Sequence, residues 1–184
     1  MARNIEIKAS VVDVAAIRTR VAALATSPVE FIEQQDTFFV VDRGRLKVRA
    51  FADGSGELIA YARPDQAGPK PSTYRRSPCA NAADLVETLA AAVPIRAVVR
   101  KRRELWMVGR TRVHLDEVER LGTFVELEVV LTDDEPAEVG EREAHALLHS
   151  LGIATSALVA VAYVDLLAER TRPHQDGQAA PASL

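Results

Sequence analysis

The chain carries one cysteine, Cys79, in 184 residues. A single thiol excludes an intramolecular disulfide and a zinc site built on several thiolates. It fits a reducing, cytoplasmic setting. No run approaches the ~18–20 apolar residues of a membrane span, and no membrane partner is expected. No basic stretch leads into an apolar one at the N-terminus, so no secretory signal is expected. Aromatic residues make up only 5% of the chain, and nucleic acid is not an expected partner, because a nucleic-acid surface wants exposed aromatics among its cations. Neither G-x-x-x-x-G-K-S/T nor G-x-G-x-x-G occurs, which speaks against a P-loop or a Rossmann site. No internal repeat is present.

What remains is ample for one domain with a sizeable core, since 48% of the residues are hydrophobic. The net charge of −3 is unevenly spread: residues 43–112 hold 15 Lys/Arg against 6 Asp/Glu, and residues 113–184 hold 4 against 14. A basic middle is the footprint of an anionic partner or of an ordinary solvated surface, and its placement within strands decides between them.

Strand patterns cover roughly 3–12, 29–41, 45–51, 57–63, 72–77, 95–108, 110–116 and 123–131. "ADGSG" (52–56) signals a hairpin, and "PDQAGPKP" (64–71) reads as a loop punctuated by Pro and Gly. Asp13 and Asn81 stand where helix N-caps belong, and two further helices are expected over 135–152 and 156–169. Residues 171–184 read as a disordered tail behind a single domain of residues 1–170. Eight strands in hairpins with four helices make an α+β protein.

Side chains alternate faces along a strand. "NIEIK" puts Glu6 and Lys8 on one face and Ile5 and Ile7 on the other. "RLKVR" groups Arg45, Lys47 and Arg49; "ELIAYAR" groups Tyr61 and Arg63; "RTRVHLD" groups Arg110, Arg112, His114 and Asp116; "FVELEVV" groups Glu126 and Glu128. "VRKRREL" is ambiguous, because Lys101 and Arg103 face one way and Arg100 and Arg102 the other. A half-wet antiparallel sheet gives the same alternation. Yet Arg and Lys crowd the middle strands and paired Glu the last, and eight strands suffice to close on themselves. A closed sheet with its charged set inward needs an anion among its cations and suits a hard divalent cation at its carboxylates. Together these describe a site for a phosphate chain.

At this point the sequence resembles the CYTH superfamily, the triphosphate tunnel metalloenzymes. The resemblance rests on "NIEIKA", "QQDTFF", "GRLKVR", "GELIAYARPD", "GPKPSTY", "VVRKRREL", "RVHLDEVERLGTFVELE" and "SALVAVAYVDLL", in the family's order over about residues 3–168. "DTFF", "LIAYARPD" and "HLDEVERLGTFVELE" look most like the class IV adenylate cyclase branch. The resemblance implies an eight-stranded antiparallel closed β-tunnel with flanking helices. It implies Mg2+ or Mn2+ on Glu6, Glu126 and Glu128. It gives Lys8, Arg63, Lys101 and Arg103 catalytic roles and makes Lys47, Arg49, Arg112 and Asp116 substrate-binding, and it turns Lys101 and Arg103 inward. The implied substrate is a nucleotide or other triphosphate, and a homodimer is left open. Conversion of ATP to cyclic AMP and pyrophosphate is the first expectation, triphosphate hydrolysis of the tripolyphosphatase or thiamine triphosphatase type the second, and a non-catalytic sensor the third. The family's opening motif is Glu-x-Glu-x-Lys, and Asn4 replaces its first Glu.

His114, lacking a Cys or His partner at ligand spacing, reads as a hydrogen-bonding residue. His145 and His149, four apart, read as one face of a half-exposed helix, and Trp106 as packing at a strand end.

Overall fold

The computed structural model describes residues 2–171. The expected disordered tail, but for its first residue, lies outside them. Eight strands alternate with four helices: β1 (Ala2–Ser10), α1 (Val14–Leu24), β2 (Glu30–Phe39), β3 (Arg45–Phe51), β4 (Gly56–Ala62), β5 (Lys70–Cys79), α2 (Ala82–Ala90), β6 (Ile95–Val108), β7 (Thr111–Val118), β8 (Gly122–Leu131), α3 (Ala137–Leu151) and α4 (Tyr163–Thr171). The strands close into one antiparallel barrel in the order β1-β5-β4-β3-β2-β6-β7-β8, with β8 returning to β1.

Local chemistry sets the boundaries. Asp13 Oδ1 accepts the Ala16 amide at 2.9 Å and Asn81 Oδ1 the Asp84 amide at 3.2 Å, so both side chains satisfy orphan donors at helix starts. Gly56 opens β4 where no other residue fits: a Cβ there would stand 2.2 Å from the Arg49 carbonyl oxygen.

The apolar phase of the strands faces out, under helices. Ile5, Ile7, Val113, Leu115, Val125, Leu127 and Val129 pack with Ile17 and Val21 of α1 and Leu147, Leu148 and Leu151 of α3. Each such side chain contributes roughly 1.5–3 kcal/mol on burial. Leu85, Val86 and Leu89 of α2 cover Phe39 and Val48. Trp106 packs against the first of these clusters, as its place near a strand end predicts. At one end the inward phase turns apolar, and Phe38, Val99, Val118 and Phe124 meet Tyr163, Val164 and Leu167 of α4, which closes that end. Among the described residues, no helix is long and apolar enough to cross a membrane.

Two sequence readings need correction. Residues 156–169 do not form one helix: a single 3-10 turn (Thr155–Ala157) is followed by extended chain, and α4 starts only at Tyr163. The backbone of this stretch is committed elsewhere. Leu158 bridges Ala9, and the Val159 amide donates to the Lys8 carbonyl at 2.8 Å. β5 is also longer than its 72–77 core and takes in Pro71 and Pro78. Pro71 pairs only with β1 and Pro78 only with β4, so each stands where β5 has a single partner strand.

Candidate active site in the tunnel

The barrel interior is a charged cavity of about 290 Å³, lined by all eight strands and by Ala162 and Tyr163. Of the residues given site roles from the sequence, Glu6, Lys8, Lys47, Arg49, Arg63, Lys101, Arg103, Arg112, Glu126 and Glu128 line it, and Asp116 lies buried against Lys101 and Arg103. The ambiguous strand is resolved: Lys101 and Arg103 point inward with side chains 3% and 6% exposed, while Arg102 is 75% exposed. Arg110, in phase on paper, lies just before β7, and its guanidinium pairs outside with Glu135 and Glu143.

Two Lys-x-Arg pairs face the cavity, and each is gripped by one aspartate. Asp36 accepts from Lys47 Nζ at 2.6 Å and from Arg49 Nε at 2.8 Å. Asp116 accepts from Lys101 Nζ at 2.9 Å and from Arg103 Nε at 2.6 Å, and the Tyr163 hydroxyl donates to it at 3.0 Å. Strand period places a Lys and an Arg two residues apart on one face, and the register sets Asp36 opposite Arg49 and Asp116 opposite Arg103. Burial alone would raise both aspartates. Arg49 and Lys47 hold Asp36, and Arg103 and Lys101 hold Asp116, well below the usual carboxylate range. Burial, with Arg49 adjacent, brings Lys47 down to about 8. The aspartates thus fix four cationic heads that repel one another, and leave further donor capacity for a ligand.

The carboxylates cluster on the adjoining strands β1 and β8 of the same cavity. Glu126 accepts from Arg103 Nη2 at 2.9 Å, and Lys8 Nζ stands 3.6 Å from it. Burial opposes its ionisation, but Lys8, the neighbouring His114 imidazole and Arg103 hold Glu126 well below the ordinary range. Glu128 pairs with Arg112 at 3.3 Å. Glu6 has the opposite balance: burial and Glu126 push its carboxyl up to about 7, against Lys8 and Arg63. The donor atoms of His114, Glu126 and Glu128 lie within 4.8 Å of one another. The Asn4 side-chain oxygen and the His114 Nδ1 are buried with no hydrogen-bond partner. Ionised carboxylates, an incompletely neutralised Glu6 and orphaned oxygen and nitrogen acceptors in one cavity are a donor set that fits a divalent cation.

The Glu6 balance has a testable consequence. A proton that binds the folded chain at about 7, but the unfolded chain near 4.3, stabilises the fold at low pH. That contribution is lost as pH rises from the unfolded value through 7. Glu6→Gln should therefore raise the melting temperature of the metal-free protein at pH 8 and flatten its fall between pH 5 and 7. Scanning calorimetry across that range checks this; a variant that melts below the parent at pH 8 contradicts it.

Three residues escape sequence reasoning. Asp36 stands in phase with Gln34 and Phe38 on β2, but a lone acid between polar and aromatic neighbours gives no signal before the strand pairing is known. Lys70, a loop residue on sequence grounds, is wholly buried; its Nζ donates to the carbonyls of Gln66 at 2.9 Å and Ala160 at 2.8 Å. Tyr163, which the pattern places inside a longer helix, lies at the tunnel end with Lys8 Nζ 4.0 Å and Lys101 Nζ 5.0 Å from its ring centre.

Fold and site together define a closed β-tunnel in which clamped cations share a cavity with a carboxylate cluster that can take a metal ion. The chain belongs to the CYTH domain family, whose model matches residues 2–163. Solved structures of similar fold include the PH1012 protein of Pyrococcus horikoshii OT3, at 21% identity and a TM-score of 0.78 over 89% of this chain and 98% of that one. A candidate adenylate cyclase of Vibrio parahaemolyticus matches at 17% identity and a TM-score of 0.72 over 90% and 97%. HpAC1 of Hippeastrum, a candidate adenylyl cyclase with a dominant triphosphatase activity, matches at 17% identity and a TM-score of 0.63 over 95% and 98%. At these identities the likeness is one of fold. No curated protein matches the sequence.

Proposed function

We propose that this protein is a metal-dependent enzyme that converts ATP to cyclic AMP and pyrophosphate. The observation that carries the reading is the pair of aspartate-clamped Lys-x-Arg sets that share one cavity with Glu126 and Glu128. Four fixed cations with Lys8 and Arg63 match the charge of a triphosphate better than that of a single phosphate. Ile32, Phe51 and Leu105 line the same cavity. A nucleoside has apolar surface to lay there, whereas inorganic tripolyphosphate has none.

In this reading Lys47, Arg49, Lys101 and Arg103 hold the β- and γ-phosphates. Lys8 and Arg63 hold oxygens nearer the α-phosphorus. A bond forms from the ribose 3′-oxygen to the α-phosphorus, the α–β bridging oxygen leaves with pyrophosphate, and the 3′-hydroxyl proton passes to the departing pyrophosphate or to solvent. The clamped cations stabilise charge on that leaving group, and being already oriented they need little reorganisation as it develops. Glu6, Glu126 and Glu128 would hold Mg2+ or Mn2+, which supplies charge stabilisation at the phosphate and acidifies a hydroxyl near it.

Hydrolysis of a triphosphate by water uses the same residues. It is the second reading because HpAC1, a protein of this fold, carries a dominant triphosphatase activity. Phosphorus NMR of ATP incubated with the protein and Mg2+ or Mn2+ separates the two. The expected result is pyrophosphate and cyclic AMP in equal amounts; orthophosphate with ADP, or pyrophosphate with AMP, contradicts the cyclase reading.

A further inference from the structure

We infer that His114 is a nitrogen ligand to the metal held at Glu126 and Glu128, and that it biases the site toward Mn2+ and related transition ions over Mg2+. The inference rests on the metal-dependent reading of the tunnel above. Its first support is an unpaired atom. His114 is 3% exposed, and its Nδ1 has no hydrogen-bond partner. Two carboxylate oxygens stand close by, Glu126 Oε2 at 3.7 Å and Glu128 Oε1 at 3.9 Å, both beyond hydrogen-bonding range. A buried nitrogen left in this state costs free energy unless water or an ion completes it.

The second support is strand register. β7 and β8 pair so that His114 lies opposite Glu126 and Arg112 opposite Glu128. His114 and Glu128 are therefore diagonal neighbours, and one imidazole meets two carboxylates on the same inner face. The result is the compact trio whose donor atoms fall within 4.8 Å. Two carboxylates by themselves suit Mg2+ and Mn2+ alike. An imidazole nitrogen adds affinity for first-row transition ions and little for Mg2+, which prefers oxygen ligands and keeps its waters. His145 and His149 are exposed on the outer surface of α3 and provide a control.

The test uses the full-length protein, stripped of metal and loaded with Mn2+ alone. Pulsed EPR should show nitrogen hyperfine coupling to the manganese, and isotope-labelled histidine should change its pattern with no substitution in the chain. His114→Gln should abolish the coupling, and a His145→Gln, His149→Gln double variant should retain it. By calorimetry His114→Gln should weaken Mn2+ binding by at least about tenfold, while Mg2+ binding changes much less. Circular dichroism shows whether the variant folds, and the labelled parent tests the nitrogen ligand even if it does not. Bound Mn2+ without nitrogen coupling overturns the His114 assignment and leaves the proposed activity standing. Failure of Mn2+ to bind at all overturns both.

Discussion

Glu126→Gln should lower kcat/KM by at least about a thousandfold, because the several kcal/mol that a metal contributes in a phosphoryl-transfer transition state go with it. The amide is nearly isosteric, so little volume changes. What changes is charge and hydrogen-bonding sense. One oxygen of Glu126 accepts from Arg103 Nη2 at 2.9 Å, and the other lies 3.6 Å from Lys8 Nζ. An amide nitrogen in either place would set a donor against a cation. The site loses a candidate metal ligand, and Lys8 loses its carboxylate neighbour. The fold should survive, since Arg103 keeps Asp116 as its partner at 2.6 Å. Steady-state kinetics with ATP and Mn2+, beside circular dichroism, check this. A folded variant within threefold of the parent would remove Glu126 from the mechanism.

Asp116→Ala should act on stability rather than on chemistry alone. The carboxylate is buried and accepts from Lys101, Arg103 and Tyr163. Removing one partner of a buried ion pair leaves uncompensated charge and costs about 3–5 kcal/mol. For a chain of this size that is a fall of roughly 6–20 °C in melting temperature. The cations left behind are those assigned to phosphate, so tripolyphosphate should raise the melting temperature of the variant by more degrees than that of the parent. Thermal melts with and without tripolyphosphate measure both effects. A variant that melts within about 2 °C of the parent would show that the aspartate does not organise this wall.

These effects fall on residues that the sequence reveals unequally. The period of two exposes Glu6 and Lys8, Lys47 and Arg49, and Glu126 and Glu128, because each strand is short and alternates cleanly. It fails on "VRKRREL", where both phases are basic and only the closure of the barrel selects Lys101 and Arg103. It gives no sign of Asp36, whose meaning lies in the β2–β3 register that sets it opposite Arg49. Lys70 is hidden by flanking prolines, which read as loop because their tolerance depends on which side of β5 is paired. The break before α4 is invisible for a similar reason. "LVAVA" has helical composition, but its backbone bonds to β1, and its carbonyls at Ala160 and Val161 accept from Arg63, Lys70 and Lys8. Such long-range bonds override local propensity. Spacing alone makes His114 a hydrogen-bonding side chain; the carboxylates 3.7 and 3.9 Å from its Nδ1 come from another strand, and only the β7–β8 register brings them to it.

Every role assigned to the tunnel residues depends on a triphosphate binding inside it, between the clamped cations and the carboxylate cluster. A crystal structure with Mn2+ and an ATP analogue carrying a methylene bridge between the α- and β-phosphorus tests this most directly. The expected result is three phosphates between Lys47 and Arg49 on one wall and Lys101 and Arg103 on the other, with anomalous manganese signal at Glu126 and Glu128. An analogue bound on the outer surface of the barrel, or an interior that stays free of phosphate at saturating analogue, would contradict it.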